Sequence, residues 1–370
     1  MWSAGSVVAS PERLPPASDP ALLRALLRRD PLPFGDADEL ATLRDRCVLI
    51  TGAGGSIGSA LARAAARDAR RVVALDRSET GLGALGRDLR ATHPALDLRL
   101  VLADIGDRTT IVRLLDDVRP ELILHCAAHK HLPLLEQQPL EALRNNLLAT
   151  ATLADAAVAS GVATFLLLST DKAAAPISVL GASKRAAEMH CCALAGRSST
   201  RFVVLRSGNV LGSSGSVLEV FMAQLARAEP LTVSHRDARR FMLTVDECVA
   251  AVLRTLALAA DGDLLVVDAG DPIRIEELAR RLIRHLGSDI GLRDTALHAG
   301  EKLSEVLTGP DEVLVPTAVP SLMLVRARAV TDAPDLALAR EAIRSGSEAA
   351  GYRALAQLVP GYARPGADPE

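Results

Sequence analysis

Short apolar runs alternate with longer amphipathic stretches through most of this 370-residue chain. The runs fall at residues 47–51, 72–76, 98–103, 122–125, 165–169, 202–206 and 264–268, each bounded by turn residues. Between most of them, apolar positions recur at helical spacing over 58–67, 109–118, 139–160, 180–195, 217–228 and 245–260. Continuous apolar runs suit strands buried on both faces. Their alternation with helices predicts an α/β fold, a doubly wound parallel Rossmann sheet. Past residue 268 the pattern changes to an amphipathic helix over 275–287, a polar stretch around Gly300-Glu301-Lys302 and two short helices. A Gly/Pro tail at 361–370 closes the chain and is expected to be disordered. Residues 1–45, rich in Pro and Asp around one amphipathic piece at 20–29, read as an arm ahead of the first strand. The expected division is therefore an arm (1–45), a dinucleotide-binding domain (46–270, with 207–243 contributing to the substrate site), a smaller substrate-binding subdomain (271–330), and C-terminal helices and tail (331–370).

Composition narrows the chemistry. Aromatics are only 2% against 49% hydrophobic residues overall, so the core is built from Ala, Leu and Val. The net charge of −3 and the spread of Lys and Arg exclude a nucleic-acid footprint. The cysteines at 47, 126, 191, 192 and 248 form no CxxC pair and no zinc spacing, as expected of reduced thiols in the cytosol. The first residues lack the basic and apolar regions of a signal peptide. No window holds the about eighteen consecutive apolar residues of a membrane span. A soluble, cytoplasmic protein is expected.

The strongest local signal is Thr51-Gly-Ala-Gly-Gly-Ser-Ile-Gly58, which leaves a strand and opens a helix. Glycines there allow a pyrophosphate to approach bare backbone at a helix N-terminus. Asp76 ends the second strand eighteen residues after Gly58, where an acid hydrogen-bonds the adenosine ribose of NAD. Arg77 follows it and suits the 2′-phosphate of NADP, so the balance tips only slightly toward NAD. Asp104 and Ile105 follow the third strand, beside the expected adenine. The expected cofactor contacts are Gly52, Gly55, Ser56, Ile57, Gly58, Asp76, Arg77, Asp104, Ile105, Ala127, Ala128 and Lys184.

Chemistry in such sheets gathers at the carboxyl ends of strands. Ser169-Thr-Asp-Lys172 lies just past one, His125-Cys-Ala-Ala-His-Lys-His131 emerges at the same edge, and the helix over 180–195 carries Lys184. Here the chain resembles the extended short-chain dehydrogenase/reductases. More closely it resembles the CapD-like nucleotide-sugar 4,6-dehydratases of polysaccharide biosynthesis, which act on UDP-N-acetylglucosamine. The resemblance covers about residues 30–310 and rests on seven motifs in the family's order: TGAGGSIGS, HCAAHKHLPLLEQQPLEALRNN, LLLSTDKAAAP, LGASKRAAE, LRSGNVLGSSGSV, ARRFMLT and GEKLSE. The membrane-spanning half of the long members has no counterpart in this sequence.

The resemblance implies a cycle in which hydride leaves carbon 4, a base takes the carbon 5 proton, water departs from carbon 6, and hydride returns to carbon 6. Thr170 then hydrogen-bonds the carbon 4 oxygen, Asp171 is the acid, and Lys172 is the base. Lys184 holds the nicotinamide ribose. A lysine base needs a lowered pKa, expected here from burial, the cationic ring and Lys184. Asn145 and Asn146 help to position the active-site strand and a water. On the sugar-nucleotide side Asn209 touches the diphosphate, Arg240 pairs with the phosphates, and Glu301 lies near the nucleoside. Lys130 is a further candidate substrate contact. No metal is expected: the histidines at 125, 129 and 131 lack a carboxylate at ligand spacing.

Three departures stand out. Leu180 occupies the place, four residues before Lys184, where short-chain dehydrogenases carry a tyrosine; the long dehydratases have methionine there. Ala175 and Ser178 replace the usual asparagines, and His298-Ala299 replaces Arg-Pro. Without the phenol, either Asp171 or Lys172 accepts the first proton, directly or through water, or the oxidation is impaired. The resulting expectation is an NAD(P)-dependent UDP-N-acetylhexosamine 4,6-dehydratase. The rivals are a 4-epimerase or ketoreductase on the same scaffold and a catalytically silent cofactor-binding module. A homo-oligomer is expected, with helices 109–118 and 139–160 able to pair across a two-fold axis as in related enzymes.

Overall fold

The computed structural model describes residues 14–34, 39–327 and 332–363. The first thirteen residues of the expected arm and residues 364–370 of the expected tail lie outside the described residues. All seven apolar runs become strands of one sheet: β1 (Cys47–Thr51), β2 (Arg71–Asp76), β3 (Asp97–Leu102), β4 (Leu122–His125), β5 (Thr164–Thr170), β6 (Arg201–Ser207) and β7 (Leu264–Val267). These seven are mutually parallel. Two further strands, β8 (Glu312–Pro316) and β9 (Leu322–Ala327), complete the order β8-β9-β7-β6-β5-β4-β1-β2-β3.

Both faces of the central strands are covered, which explains their unbroken apolar character. Ile50, Leu124, Leu166 and Leu205 point into one core layer, and Leu49, Ile123, Phe165 and Val204 into the other. The chain runs outward from β1 to β2 and β3, then returns past β1 to β4. That reversal opens a crevice at the carboxyl ends of β1 and β4, the place where open α/β sheets take ligands. Thr51 and His125 sit in register there, and Thr51 Oγ1 lies 2.7 Å from His125 Nδ1.

Two features depart from the sequence pattern. Residues 312–327, grouped by pattern with the 271–330 subdomain, instead form the hairpin β8–β9, with β9 antiparallel to β7 and joined to the main sheet. Their alternation is weak because Val313 and Val315 are exposed at a sheet edge. The helix Glu79–Thr92 also escapes the pattern, because Gly81, Gly83 and Gly86 dilute its helical propensity. Gly81 has a reason to be there: a Cβ would lie 2.8 Å from Gly54 of the cofactor turn.

The expected arm supplies a helix, Pro20–Leu27, capped by Asp19 through Ala21 and Leu22 N–H. Its Leu22 and Leu26 share a core with Phe221 and Leu278, in the layer formed by the helices Val217–Ala226 and Ile275–Leu286. The C-terminal helices Leu336–Ser345 and Glu348–Leu358 pack, through Ala339 and Leu355, against a cluster that contains Leu180. Among the described residues, no helix is long and apolar enough to cross a membrane.

Candidate active site

The turn after β1 is shaped by close backbone approach. Gly52 has φ +69°, and a Cβ there would stand 2.7 Å from Ala127 N. A Cβ on Gly58 would stand 2.1 Å from Gly52 O, so the helix Ser56–Ala65 can rise against the turn only with glycine at both places. Gly55 caps that helix without a side chain, leaving its first N–H groups free for an anion. Asp76 accepts from Gly54 N and from Ser78 N, each at 2.8 Å, and so braces the turn it follows.

These groups wall a cavity of about 310 Å3 that every expected cofactor contact lines except Lys184. The residue set fits a dinucleotide: a glycine cradle, an uncapped helix start and an acid at the ribose position. Two of its wall residues meet, with Arg77 Nη2 2.8 Å from His129 Nε2. The loop before the helix Val217–Ala226 bridges two walls, since Ser214 N donates to Ser56 Oγ at 2.9 Å.

A second cavity of about 290 Å3 shares Ile57, Ala128, Lys130 and Ser213 with the first. Thr170, Lys172, Leu180, Lys184 and Asn209 line it. Lys184 donates to Leu168 O at 2.9 Å, and burial holds its pKa below the ordinary value. The helix that carries it, Val179–Leu194, is tied to the His-rich loop by Asn146. Asn146 accepts from His129 N at 2.8 Å and donates to His129 O at 3.0 Å and to Ser183 Oγ at 3.2 Å. It reaches all three from a π-helical turn, Leu143–Leu148, a rare geometry that re-aims side chains at functional sites.

Lys172 is the hub of the second cavity. Its Nζ donates to Asp171 Oδ1 at 3.0 Å and to Asn209 Oδ1 at 2.9 Å, and stands 3.4 Å from Glu305 Oε1. Thr170 Oγ1 also donates to Asp171 Oδ1, at 3.0 Å. Burial pushes the Asp171 carboxyl above its usual range; Lys172 opposes this and Glu305 adds to it. For Lys172, burial alone would lower the pKa, but Asp171 and Glu305 outweigh burial and hold the ammonium above its ordinary value. The expectation of a lowered lysine pKa is thus corrected, because two carboxylates surround the amine and the cation acting on it is Arg240, not Lys184.

Asp171, Arg240 and Glu301, all expected site residues, lie behind the cavity walls. Asp171 is fully buried, with Oδ2 free of any hydrogen bond. Arg240 pairs with Glu301 at 2.7 Å and donates to Arg239 O at 2.8 Å, so its guanidinium is engaged within the chain. Lys130 lines both cavities with Nζ 3.4 Å from Ser213 Oγ, and burial lowers its pKa. His125 lies between Thr51 and Thr150 hydroxyls, and burial pushes its pKa down to about 3, so the ring is neutral. Among the described residues, no group of His, Cys, Asp and Glu has the arrangement to hold a metal ion.

Comparison with known proteins places this geometry. Residues 48–327 match the model of a family described as polysaccharide biosynthesis protein. The chain belongs to that family. It is 39% identical over 294 residues to the capsular polysaccharide biosynthesis protein CapD of Staphylococcus aureus, covering 78% of this chain and 49% of that protein. The chain therefore spans about half the length of this relative. It is 29% identical over 271 residues to an inverting UDP-N-acetylglucosamine 4,6-dehydratase of Campylobacter jejuni (72% and 78% covered). It is 31% identical over 277 residues to a UDP-glucose 4-epimerase of Rickettsia bellii (73% and 79% covered). Among solved structures, Pen from Bacillus thuringiensis superposes with a TM-score of 0.72 at 26% identity, covering 79% of this chain and 90% of that one. These likenesses make the chain an extended short-chain dehydrogenase/reductase of the polysaccharide-biosynthesis branch.

Two groups near the site went unread in the sequence. Glu305 ends the GEKLSE motif, yet only Glu301 draws notice there. The other is a buried cluster in which Arg206 contacts Glu188 at 2.7 Å and Glu312 at 2.6 Å. Ser169 Oγ donates to Glu188 at 2.6 Å, so this cluster anchors the strand end that carries Thr170–Lys172. A period-two signal flags only an inward face, and Arg206 on such a face is the clue that a buried charge needs partners.

Proposed function

We propose that this protein is an NAD- or NADP-dependent nucleotide-sugar 4,6-dehydratase acting on a UDP-N-acetylhexosamine, with UDP-N-acetylglucosamine the first choice. The observation that carries the reading is the Thr170–Asp171–Lys172 cluster at the end of β5, facing a cavity continuous with the dinucleotide-shaped one. Elimination needs an acid and a base held together, and the buried Asp171 carboxyl beside Lys172 is such a pair. The residues around Gly52, Gly58 and Asp76 would hold the dinucleotide, with Lys184 at the other end. Bound there, NAD or NADP supplies reversible hydride acceptance.

Within this reading, Thr170 orients the carbon 4 oxygen, Asp171 protonates the departing carbon 6 oxygen and Lys172 takes the carbon 5 proton. Asp171 would reach the sugar through a small rotation, since Oδ2 has no partner to lose. Residues 207–243 and the segment around Glu301 would take the nucleotide. Arg240 would then exchange Glu301 for phosphate.

The test is incubation with UDP-N-acetylglucosamine in D2O, read by mass spectrometry and NMR. A 4-keto-6-deoxy product with deuterium on carbon 5 supports the proposal. A product that keeps its carbon 6 hydroxyl overturns it. A second reading, 4-epimerisation, draws support from the Rickettsia bellii relative. Inversion at carbon 4 without exchange at carbon 5 would favour it.

A further inference from the structure

An ammonium group has three N–H donors; Lys172 Nζ gives two of them to Asp171 Oδ1 at 3.0 Å and Asn209 Oδ1 at 2.9 Å, and a third oxygen, Glu305 Oε1, stands 3.4 Å away as an ion-pair partner. Held in this way the nitrogen has no lone pair to offer a substrate. To act as a base, Lys172 must first give one proton to one of the three. The Asn209 amide oxygen is too weakly basic to take it. Asp171 is already the acid of the pair and accepts from Thr170 as well. Glu305 remains, and its geometry suits the task.

Glu305 is carried into place by a short segment tied down on both sides. Arg239 N donates to Leu303 O at 2.7 Å, Arg240 Nη1 reaches the same oxygen at 3.3 Å, and Arg239 bridges to Ser304. The Glu305 side chain is 2% exposed. One carboxylate oxygen faces Lys172; the other lies 3.4 Å from Lys302 Nζ and makes no hydrogen bond. A buried carboxylate one step behind the amine that must lose a proton, with Oε1 toward that amine and Oε2 paired with Lys302, is placed to receive the proton at Oε1.

We propose that Glu305 holds Lys172 as an ammonium at rest and takes one of its protons when Lys172 acts as a base. In the transfer an Nζ–H bond breaks and an Oε1–H bond forms. As the carbon 5–H bond then breaks, its electron pair stays on the sugar as the enolate of the 4-ketone and its proton joins Nζ. Reprotonation of carbon 5 reverses both moves, and because the Nζ protons exchange with solvent, deuterium from D2O reaches carbon 5 of the product. Glu305 touches neither sugar nor cofactor and is a positioning residue that works through Lys172. The proposal rests on the dehydratase reading for its proton donor, while the charge on Lys172 is open to direct measurement.

The charged groups facing Lys172 are Asp171 beside it, Glu305 and Lys302 from the 300–305 segment, Arg240 from the neighbouring short strand, and Lys184 and Lys130 across the cavity. Of these, replacing Glu305 removes a negative charge and makes the ammonium easier to deprotonate. Two measurements on the full chain with bound dinucleotide separate the possibilities. Trace labelling of amines with acetic anhydride, read at the Lys172 peptide by mass spectrometry, gives the pH at which Lys172 loses its proton. That midpoint should fall in Glu305→Gln relative to the parent protein. An unchanged midpoint overturns the proposal whatever the substrate proves to be.

Carbon 5 deuterium exchange against pH gives the second measurement. The parent should exchange at a rate nearly independent of pH between about 7 and 9, because the acceptor is internal. Glu305→Gln should be slower at pH 7 and climb about ten-fold per pH unit toward the lowered Lys172 midpoint, where solvent removes the proton instead. Glu305→Asp keeps a carboxylate and should keep the flat profile at reduced rate. A uniform loss at every pH, with dinucleotide binding intact, means a merely structural role and overturns the relay. If the parent protein makes no 4-keto-6-deoxy sugar at all, the dehydratase reading fails, and the labelling midpoint still decides whether Glu305 sets the charge on Lys172.

Discussion

Lys172 Nζ and Asn209 Oδ1 lie 2.9 Å apart, joining the residue two positions beyond β5 to the one two positions beyond β6. Sequence resemblance gives Asn209 to the diphosphate; in the structure it grips the proposed base. A hydrogen bond to a charged group contributes about 1.5–3 kcal/mol. Asn209→Ala should therefore lower kcat by about ten-fold or more, since about 1.4 kcal/mol is a factor of ten. A change confined to KM, with kcat intact, would return Asn209 to the diphosphate.

Removing the base itself should be more severe. Lys172→Ala is expected to reduce product formation by about 100-fold or more, the range of general acid–base catalysis. Dinucleotide binding, followed by fluorescence, should persist because Lys172 lies outside the cavity formed by the glycine turn. Unchanged turnover would favour a silent module or another mechanism.

Leu180 is 6% exposed and packs in the cluster completed by Leu355 and Leu358 of the last helix. Restoring the phenol by Leu180→Tyr enlarges a side chain that packs on this cluster on one side and lines the second cavity on the other, at a cost of at most about 1–3 kcal/mol. Urea denaturation should show that loss. Leu180→Met conserves volume and should cost less than about 1.5 kcal/mol.

The Arg206 cluster makes a stability prediction with a definite sign. Burial pushes the Glu188 and Glu312 carboxyls up, but Arg206 outweighs it, and both are held below their ordinary range. Their contribution is full above the unfolded value, about pH 4.3, and disappears as pH falls through the lower folded values. Glu312→Ala leaves Arg206 still paired with Glu188 but removes one of its two charge-assisted carboxylate contacts, and should destabilise the protein by about 1.5–3 kcal/mol at neutral pH. Chemical denaturation from pH 7 down to 3 should show the difference between parent and variant narrowing with acid.

The proposed role of Arg77 in choosing between NAD and NADP can be tested at its place in the first cavity, where it meets His129. Arg77→Ala should weaken NADP by about ten-fold, the loss of one charge-assisted contact of about 1.4 kcal/mol, and leave NAD nearly unaffected. Calorimetric titration of both dinucleotides checks this.

The parallel sheet was legible because strands buried on both faces must be continuously apolar, and the cofactor turn because Gly52 and Gly58 answer to local sterics. The glycine-rich helix Glu79–Thr92 was hidden because tertiary contact with Gly54, rather than propensity, selects its residues. The strands β8 and β9 were hidden because an exposed edge relaxes the apolar pattern. At the site, Thr170 and Lys172 were legible from one contiguous motif. Glu305 lies 133 positions beyond Lys172 and meets it only through the fold. The charge on Lys172 followed from that meeting, and the raised pKa was out of reach of the motif alone.

Ser214 and Ser56, bridging the walls above the cofactor turn, have a consequence for handling the protein. On the proposed dehydratase reading the dinucleotide is regenerated in every turnover and need not leave, and a strap across the turn that would hold its phosphates should make departure slow. The purified protein should carry its nucleotide through gel filtration, visible as excess absorbance near the adenine maximum. Ser56→Ala combined with Ser214→Pro, which removes both the hydroxyl and the N–H, should yield a preparation stripped by dialysis and dependent on added cofactor.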